Sequence, residues 1–164
     1  MVADAGIRPG DLVLDIGAGW GALTAPLLAA GARVIAVELH LERASQLRER
    51  FRGCAVTIVR ADAGDLRLPR RPFRVVANPP FATTNGLLRR LLAPGSRLVS
   101  AHLVVPRHVA RRWGGPGAPG WVRWSETFTI STGRAIPRRA FRPPPPRDVV
   151  TLTISRRAGL PNRG

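Results

Sequence analysis

Asn78-Pro79-Pro80-Phe81 follows Phe73-Arg74-Val75-Val76-Ala77, an apolar run that reads as a buried strand. A polar amide, two prolines and an aromatic at the carboxyl end of a strand are poor packing material. They suit a flat, amino-bearing base. The Asn78 side-chain carbonyl and the Pro79 backbone carbonyl can both accept from an exocyclic amine, and such acceptors favour a more tetrahedral, more nucleophilic nitrogen. Prolines 79 and 80 stiffen the loop, and Phe81 can stack on a base that has left its neighbours. The plainer alternative is a strand exit with a packed phenylalanine.

Upstream, Asp15-Ile16-Gly17-Ala18-Gly19-Trp20-Gly21 supplies a glycine-rich turn between a strand and a helix. Residues without Cβ atoms let the backbone turn sharply and approach a nucleotide. Gly17-x-Gly19-x-x-Ala22 also satisfies the dinucleotide fingerprint, so the turn alone leaves NAD and S-adenosylmethionine both open. Glu38 ends Val34-Ile35-Ala36-Val37-Glu38, where a carboxylate can accept ribose hydroxyls from either cofactor. Asp62 discriminates better. It follows the next strand in Val59-Arg60-Ala61-Asp62-Ala63, where an acid can accept from an adenine amino group and is expected for S-adenosylmethionine. Turn and loop together imply methyl transfer to an exocyclic amine. That chemistry needs no metal and no activated serine or cysteine.

The other candidates carry less. His40, His102 and His108 have no spacing suited to a metal, and none is expected. Asp65 reads as a helix or turn cap, while Asp4 and Asp11 read as surface residues. Cys54 reads as a small turn or core residue; as the single cysteine it permits no internal disulfide and fits a reducing compartment. Trp20 is expected to line the cofactor loop and Trp124 to begin a strand.

Positioning these groups takes an α/β sheet. Strands are expected at Asp11 to Ile16, Arg33 to Val37, Ala55 to Val59, Phe73 to Ala77 and Leu98 to Val105. Helices are expected at Ala22 to Ala30, with Pro26 shortening or kinking it, at Leu39 to Phe51 and at Thr83 to Leu92. Residues Trp113 to Gly120 read as an irregular loop. Trp124 to Ser131 and Val149 to Ser155 then read as a closing antiparallel pair. The fold predicted is a Rossmann-like, mostly parallel seven-stranded sheet with a terminal hairpin, of the class I methyltransferase kind, in one domain spanning 1–164.

Charge names a partner. The chain has 26 basic and 10 acidic residues, a net +16, and no lysine. Arginine pairs with phosphate through a planar fork and stacks on bases, so a nucleic acid is expected. Codon usage could account for the missing lysines but not for the low acidic count. No apolar run approaches the roughly 18 residues of a membrane span, and no signal peptide is visible. A cytoplasmic monomer is expected.

The chain resembles the rRNA adenine N6-methyltransferases, and within them the macrolide–lincosamide–streptogramin resistance (Erm) methylases. The similarity runs from about Pro9 to Arg157, through Leu12-Val13-Leu14-Asp15-Ile16-Gly17-Ala18-Gly19, Val37-Glu38, Ala61-Asp62-Ala63 and Val76-Ala77-Asn78-Pro79-Pro80-Phe81. It closes on Pro137-Arg138-Arg139-Ala140-Phe141-Arg142 and the prolines 143 to 146, the most family-specific phrase. The resemblance implies a cofactor set of Asp15, Gly17, Gly19, Glu38, Leu39, Asp62, Ala63 and Asn78, with Asn78, Pro79 and Phe81 at the target adenine. It implies large-subunit (23S) rRNA as substrate and macrolide resistance as outcome. Arg89, Arg90, Arg107, Arg111, Arg112, Arg138 and Arg139 are the RNA-contact candidates, with Arg70-Arg71 beside them. Members also carry a longer segment ahead of the first strand and a helical lobe after the last. Only Met1 to Gly10 and Ala158 to Gly164 flank the sheet here, so both are expected to be missing.

Four rivals stand beside this reading. The small-subunit dimethyladenosine transferases share the scaffold. DNA adenine methylases share the Asn-Pro-Pro-Phe type of motif, although the closing proline phrase disfavours them. An inactive rRNA-binding module would lack cofactor binding. A small dehydrogenase would have no use for Asn78.

Overall fold

The computed structural model describes residues 1–158. The expectation for Ala158 to Gly164 therefore falls, beyond its first residue, outside the described residues. Five strands, β1 (Leu12–Ile16), β2 (Arg33–Val37), β3 (Val56–Val59), β4 (Phe73–Ala77) and β5 (Leu98–Pro106), pair in parallel, and β6 (Phe128–Ile136) and β7 (Val149–Arg156) close the sheet antiparallel. The strand order is β3-β2-β1-β4-β5-β7-β6. The order reverses between β1 and β4, so their carboxyl ends open a crevice of the kind in which α/β sheets bind ligands.

Both faces are covered, which is why the central strands are mostly apolar. On one side, α1 (Thr24–Ala29) and α2 (Leu41–Arg50) bury Leu27, Leu47 and the adjoining Phe51 against Val13, Val34 and Ala36. On the other, α3 (Thr84–Leu91) sets Leu87, Leu88 and Leu91 against Leu14, Phe73 and Val75. Each of these three leucines is fully buried, which stabilises the layer by about 1.5–3 kcal/mol per side chain.

The expected elements are found, with several differences. Helix α1 begins at Thr24, so Pro26 falls in its first turn, and the i→i−4 bonds on either side of it survive, Ala25 N–H to the Gly21 carbonyl and Leu27 N–H to the Leu23 carbonyl, each at 3.1 Å. Arg107–Trp113 forms a helix, α4, that the sequence reading passed over, and Trp113 ends it fully buried instead of opening a loop. Trp121–Trp124 is a one-turn helix, α5, so Trp124 does not begin a strand; β6 starts at Phe128. Asp65 caps nothing and pairs with Arg90 at 3.5 Å. Asp62 holds that turn instead, its Oδ1 accepting the Gly64 N–H at 2.7 Å. Asp4 is a surface residue, whereas Asp11 is half-buried and pairs with Arg74 at 2.9 Å. Among the described residues no helix is long and apolar enough to cross a membrane, and no group of three or more metal-ligating side chains gathers.

Candidate active site

The chain leaves β1 through Gly17 and Gly19 at φ 77° and 57°, a left-handed backbone that favours glycine. Gly17 is constrained twice. A Cβ there would lie 3.2 Å from both the Asn78 carbonyl oxygen and Pro80 Cδ, so the cofactor turn and the Asn-Pro-Pro-Phe loop touch through a missing side chain. At Gly21 a Cβ would reach within 2.6 Å of the Phe51 ring, which packs the turn onto the end of α2.

Glu38 locks the turn from the neighbouring strand. It is 4% exposed; its Oε2 accepts the Gly19 N–H at 2.8 Å and its Oε1 the His40 N–H at 2.9 Å. Asp15 sits below. It is 1% exposed and accepts the Thr24 hydroxyl proton at 2.7 Å, which ties β1 to the start of α1. Burial pushes its carboxyl up to about 6; the Thr24 hydrogen bonds oppose the shift and the nearby Glu38 charge adds to it.

The Asn78 loop is pinned from α3. The Pro80 carbonyl accepts from the Thr83 N–H and from the hydroxyls of Thr83 and Thr84, at 3.1, 3.0 and 3.1 Å. Pro79 is buried and Asn78 is exposed. Neither the Asn78 side-chain amide nor the Pro79 carbonyl has a hydrogen-bond partner among the described residues. Both remain available to a ligand.

These parts line one cavity of about 490 Å³, within the roughly 300–1,000 Å³ of small-molecule clefts. Gly17, Glu38, Leu39, Asp62 and Ala63 form one side, and Asn78, Pro79 and Phe81 the other. Of the expected cofactor set, Asp15 and Gly19 do not line the cavity; one supports the turn from beneath and the other anchors it to Glu38. Trp20 also stays outside, half exposed, with the Arg43 guanidinium 5.7 Å from its ring centroid. Sequence reasoning had not placed His40, Arg43, Thr83, Phe141 and prolines 143 to 146 on the wall. For Phe141 and the prolines the signal was the closing aromatic–proline phrase, which returns from the β6–β7 connection to line the same cavity as Gly17.

Of the arginine candidates, Arg89, Arg107, Arg111, Arg112, Arg138 and Arg139 are exposed, as are Arg70 and Arg71. Arg138 donates to the Pro145 carbonyl at 2.8 Å, steadying the proline wall. Arg90 is half-buried and engaged with the Leu66 carbonyl at 2.9 Å and with Asp65; its role within the fold is to hold α3 against the β3–β4 connection.

A glycine turn, an acid at the end of β2, an acid after β3 and an amide–proline–aromatic loop after β4, on a sheet of this order, define a class I S-adenosylmethionine-dependent methyltransferase fold. Residues 1–163 match the family described as ribosomal RNA adenine dimethylase, and the chain belongs to that family. An rRNA adenine N-6-methyltransferase of Corynebacterium diphtheriae is 40% identical over 152 residues, covering 91% of this chain and 59% of that protein. The ribosomal RNA small subunit methyltransferase A of Thermosynechococcus vestitus is 37% identical over 177 residues, covering 100% and 66%. The chain thus spans about three-fifths to two-thirds of these relatives' lengths. Among solved structures, the 23S rRNA methyltransferase ErmE superposes with a TM-score of 0.82 at 28% identity, covering 96% of this chain and 66% of that one. A dimethyladenosine transferase from Plasmodium falciparum, at 24% identity and a TM-score of 0.81, has the same fold.

The family implies S-adenosylmethionine as methyl donor, and the residues present fit it. Gly17 brings the turn's backbone to the cavity wall, Glu38 and Asp62 offer carboxylates at successive strand ends, and the same cavity reaches Asn78.

Proposed function

We propose that the protein transfers methyl groups to N6 of an adenosine in large-subunit rRNA, as an Erm-type resistance methylase. The observation that carries the reading is the single cavity joining the cofactor turn to Asn78, Pro79 and Phe81. Bound S-adenosylmethionine would supply an activated methyl group. Everything else is positioning. Asn78 Oδ1 and the Pro79 carbonyl accept from the target amine and hold its lone pair towards the cofactor side. They also stabilise the positive charge that develops on the nitrogen, which is worth more in a water-poor cleft than in solution. Phe81 stacks on the flipped base, and the exposed arginines take the flanking phosphates.

The overlay on a 23S rRNA methyltransferase favours the large subunit. The 37% identity to a small-subunit methyltransferase keeps dimethylation of the small-subunit rRNA as the second reading. We further propose that the chain acts in the cytoplasm as a monomer without a metal, and that one catalytic domain occupies 1–164. Incubation with tritiated S-adenosylmethionine and each rRNA separately, followed by primer extension, tests the assignment. Label on an adenine of large-subunit RNA supports it; label confined to small-subunit RNA supports the second reading; no label on either RNA contradicts both.

A further inference from the structure

At the far end of α3 from the Asn78 loop lies a second hollow, about 330 Å³, that shares no lining residue with the cofactor cavity. Its lining is apolar: Ala93, Pro94 and Pro119 present carbon to solvent, backed by the buried Leu92, Trp113 and Trp124. The indole N–H groups are already used, Trp113 donating to Asn85 at 2.9 Å and Trp124 to the Pro119 carbonyl at 3.0 Å. A ligand therefore meets a rigid carbon surface without competing donors. At its rim stand two exposed arginines, Arg89 and Arg123. Neither guanidinium has an ion-pair or hydrogen-bond partner among the described residues, unlike the neighbouring Arg90. No acidic residue lines the hollow.

We infer that this hollow is a second RNA subsite, in which Arg89 and Arg123 hold phosphodiesters flanking the target adenosine while a sugar or base rests on the apolar lining. Charge complementarity commits the occupant: two unpaired guanidiniums on a chain of net +16 call for a polyanion. Helix α3 sets the spacing. Its eight residues rise about 12 Å, which a stacked strand covers in roughly three to four nucleotides at about 3.4 Å per phosphate. The subsite rests on the rRNA methyltransferase reading and adds an anchoring point away from the reacting base.

The test is the double variant R89A/R123A of the full chain, titrated with an rRNA fragment across a salt series. Both side chains are exposed and unpaired, so an unchanged melting temperature verifies the fold. Affinity should drop about tenfold at low salt, and the slope of log K against log[salt] should flatten by about 1.4, two single-strand phosphate contacts. R89K/R123K should restore the slope, and calorimetric S-adenosylmethionine affinity should not move in either variant. A double variant with the wild-type slope and affinity overturns the subsite while leaving the methyltransferase reading intact. Wild-type protein that binds no rRNA overturns both.

Discussion

The Gly19 N–H donates to the Glu38 carboxylate at 2.8 Å, so the acid that ends β2 and the turn that follows β1 are one hydrogen-bonded unit. A carboxylate already fixed by two backbone N–H groups presents its remaining lone pairs in set directions, which pre-orders a hydroxyl-binding site.

Glu38→Ala should weaken S-adenosylmethionine binding by about 10- to 100-fold, some 1.4–2.8 kcal/mol. It should also cost about 1–3 kcal/mol of stability, because the Gly19 N–H loses its partner in a part-buried site. Calorimetry and thermal melting measure the two effects; RNA affinity should stay at the wild-type value.

Gly17→Ala probes the contact between the two halves of the site. The residue sits at φ 77°, and the new Cβ would press on the Asn78 carbonyl and on Pro80 Cδ, both held in place by α3. The left-handed backbone alone costs an alanine about 1–2 kcal/mol. Methyl transfer should fall more than cofactor affinity, since the displaced partner is the Asn78 loop. Equal losses in both would place the strain on the cofactor side only.

Much of this was legible in the sequence, and the reasons are local. Strands β1 to β5 lie within a residue or so of their expected spans because each is a mostly apolar run closed by a glycine, a proline or a polar residue. Glu38, Asp62 and Asn78 were readable for the same cause, being polar residues at the ends of apolar strands. Helix α4 was missed because its buried set, Val109, Ala110 and Trp113, makes too few periodic repeats amid four basic or imidazole side chains. Strand β6 was misplaced because Ser131 to Ala135 is exposed on both faces and shows no alternation. Gly133 looks like a turn in sequence. In space it lies at the register shift between β6 and β7, where a Cβ would collide with the Thr151 hydroxyl. Arg43 and His40 at the cavity wall could not be foreseen, since nothing in their spacing points to a ligand.

Asp15 makes a pH prediction. Its folded carboxyl titrates near 6, above the ordinary value of 3.8, so the folded state binds a proton more tightly than the unfolded chain. Stability from this group is therefore full below about pH 4 and lost as pH rises through about 6. Two units correspond to about 3 kcal/mol. Asp15→Asn keeps an acceptor for Thr24 without the buried charge. Its stability relative to wild type should rise between pH 4 and 7 by a few kcal/mol, read from denaturant midpoints. A difference that stays constant over that range would remove the burial argument.

Asn78→Ala should lower the rate of methyl transfer by about 10²- to 10³-fold, the usual effect of losing one charge-stabilising group, while S-adenosylmethionine and RNA affinities stay close to wild type. Single-turnover rates at saturating cofactor check it. A loss of RNA affinity matching the loss of rate would make Asn78 a binding residue and not a catalytic one.

The most direct measurement is a crystal structure of the protein with S-adenosylhomocysteine and adenosine, the product-side cofactor and the smallest piece of the target. The account requires the adenine N6 within hydrogen-bonding distance, about 2.7–3.2 Å, of both Asn78 Oδ1 and the Pro79 carbonyl, with the ring against Phe81. An adenine seated elsewhere, or with its amine turned away from both oxygens while the cofactor cavity is filled, would contradict it.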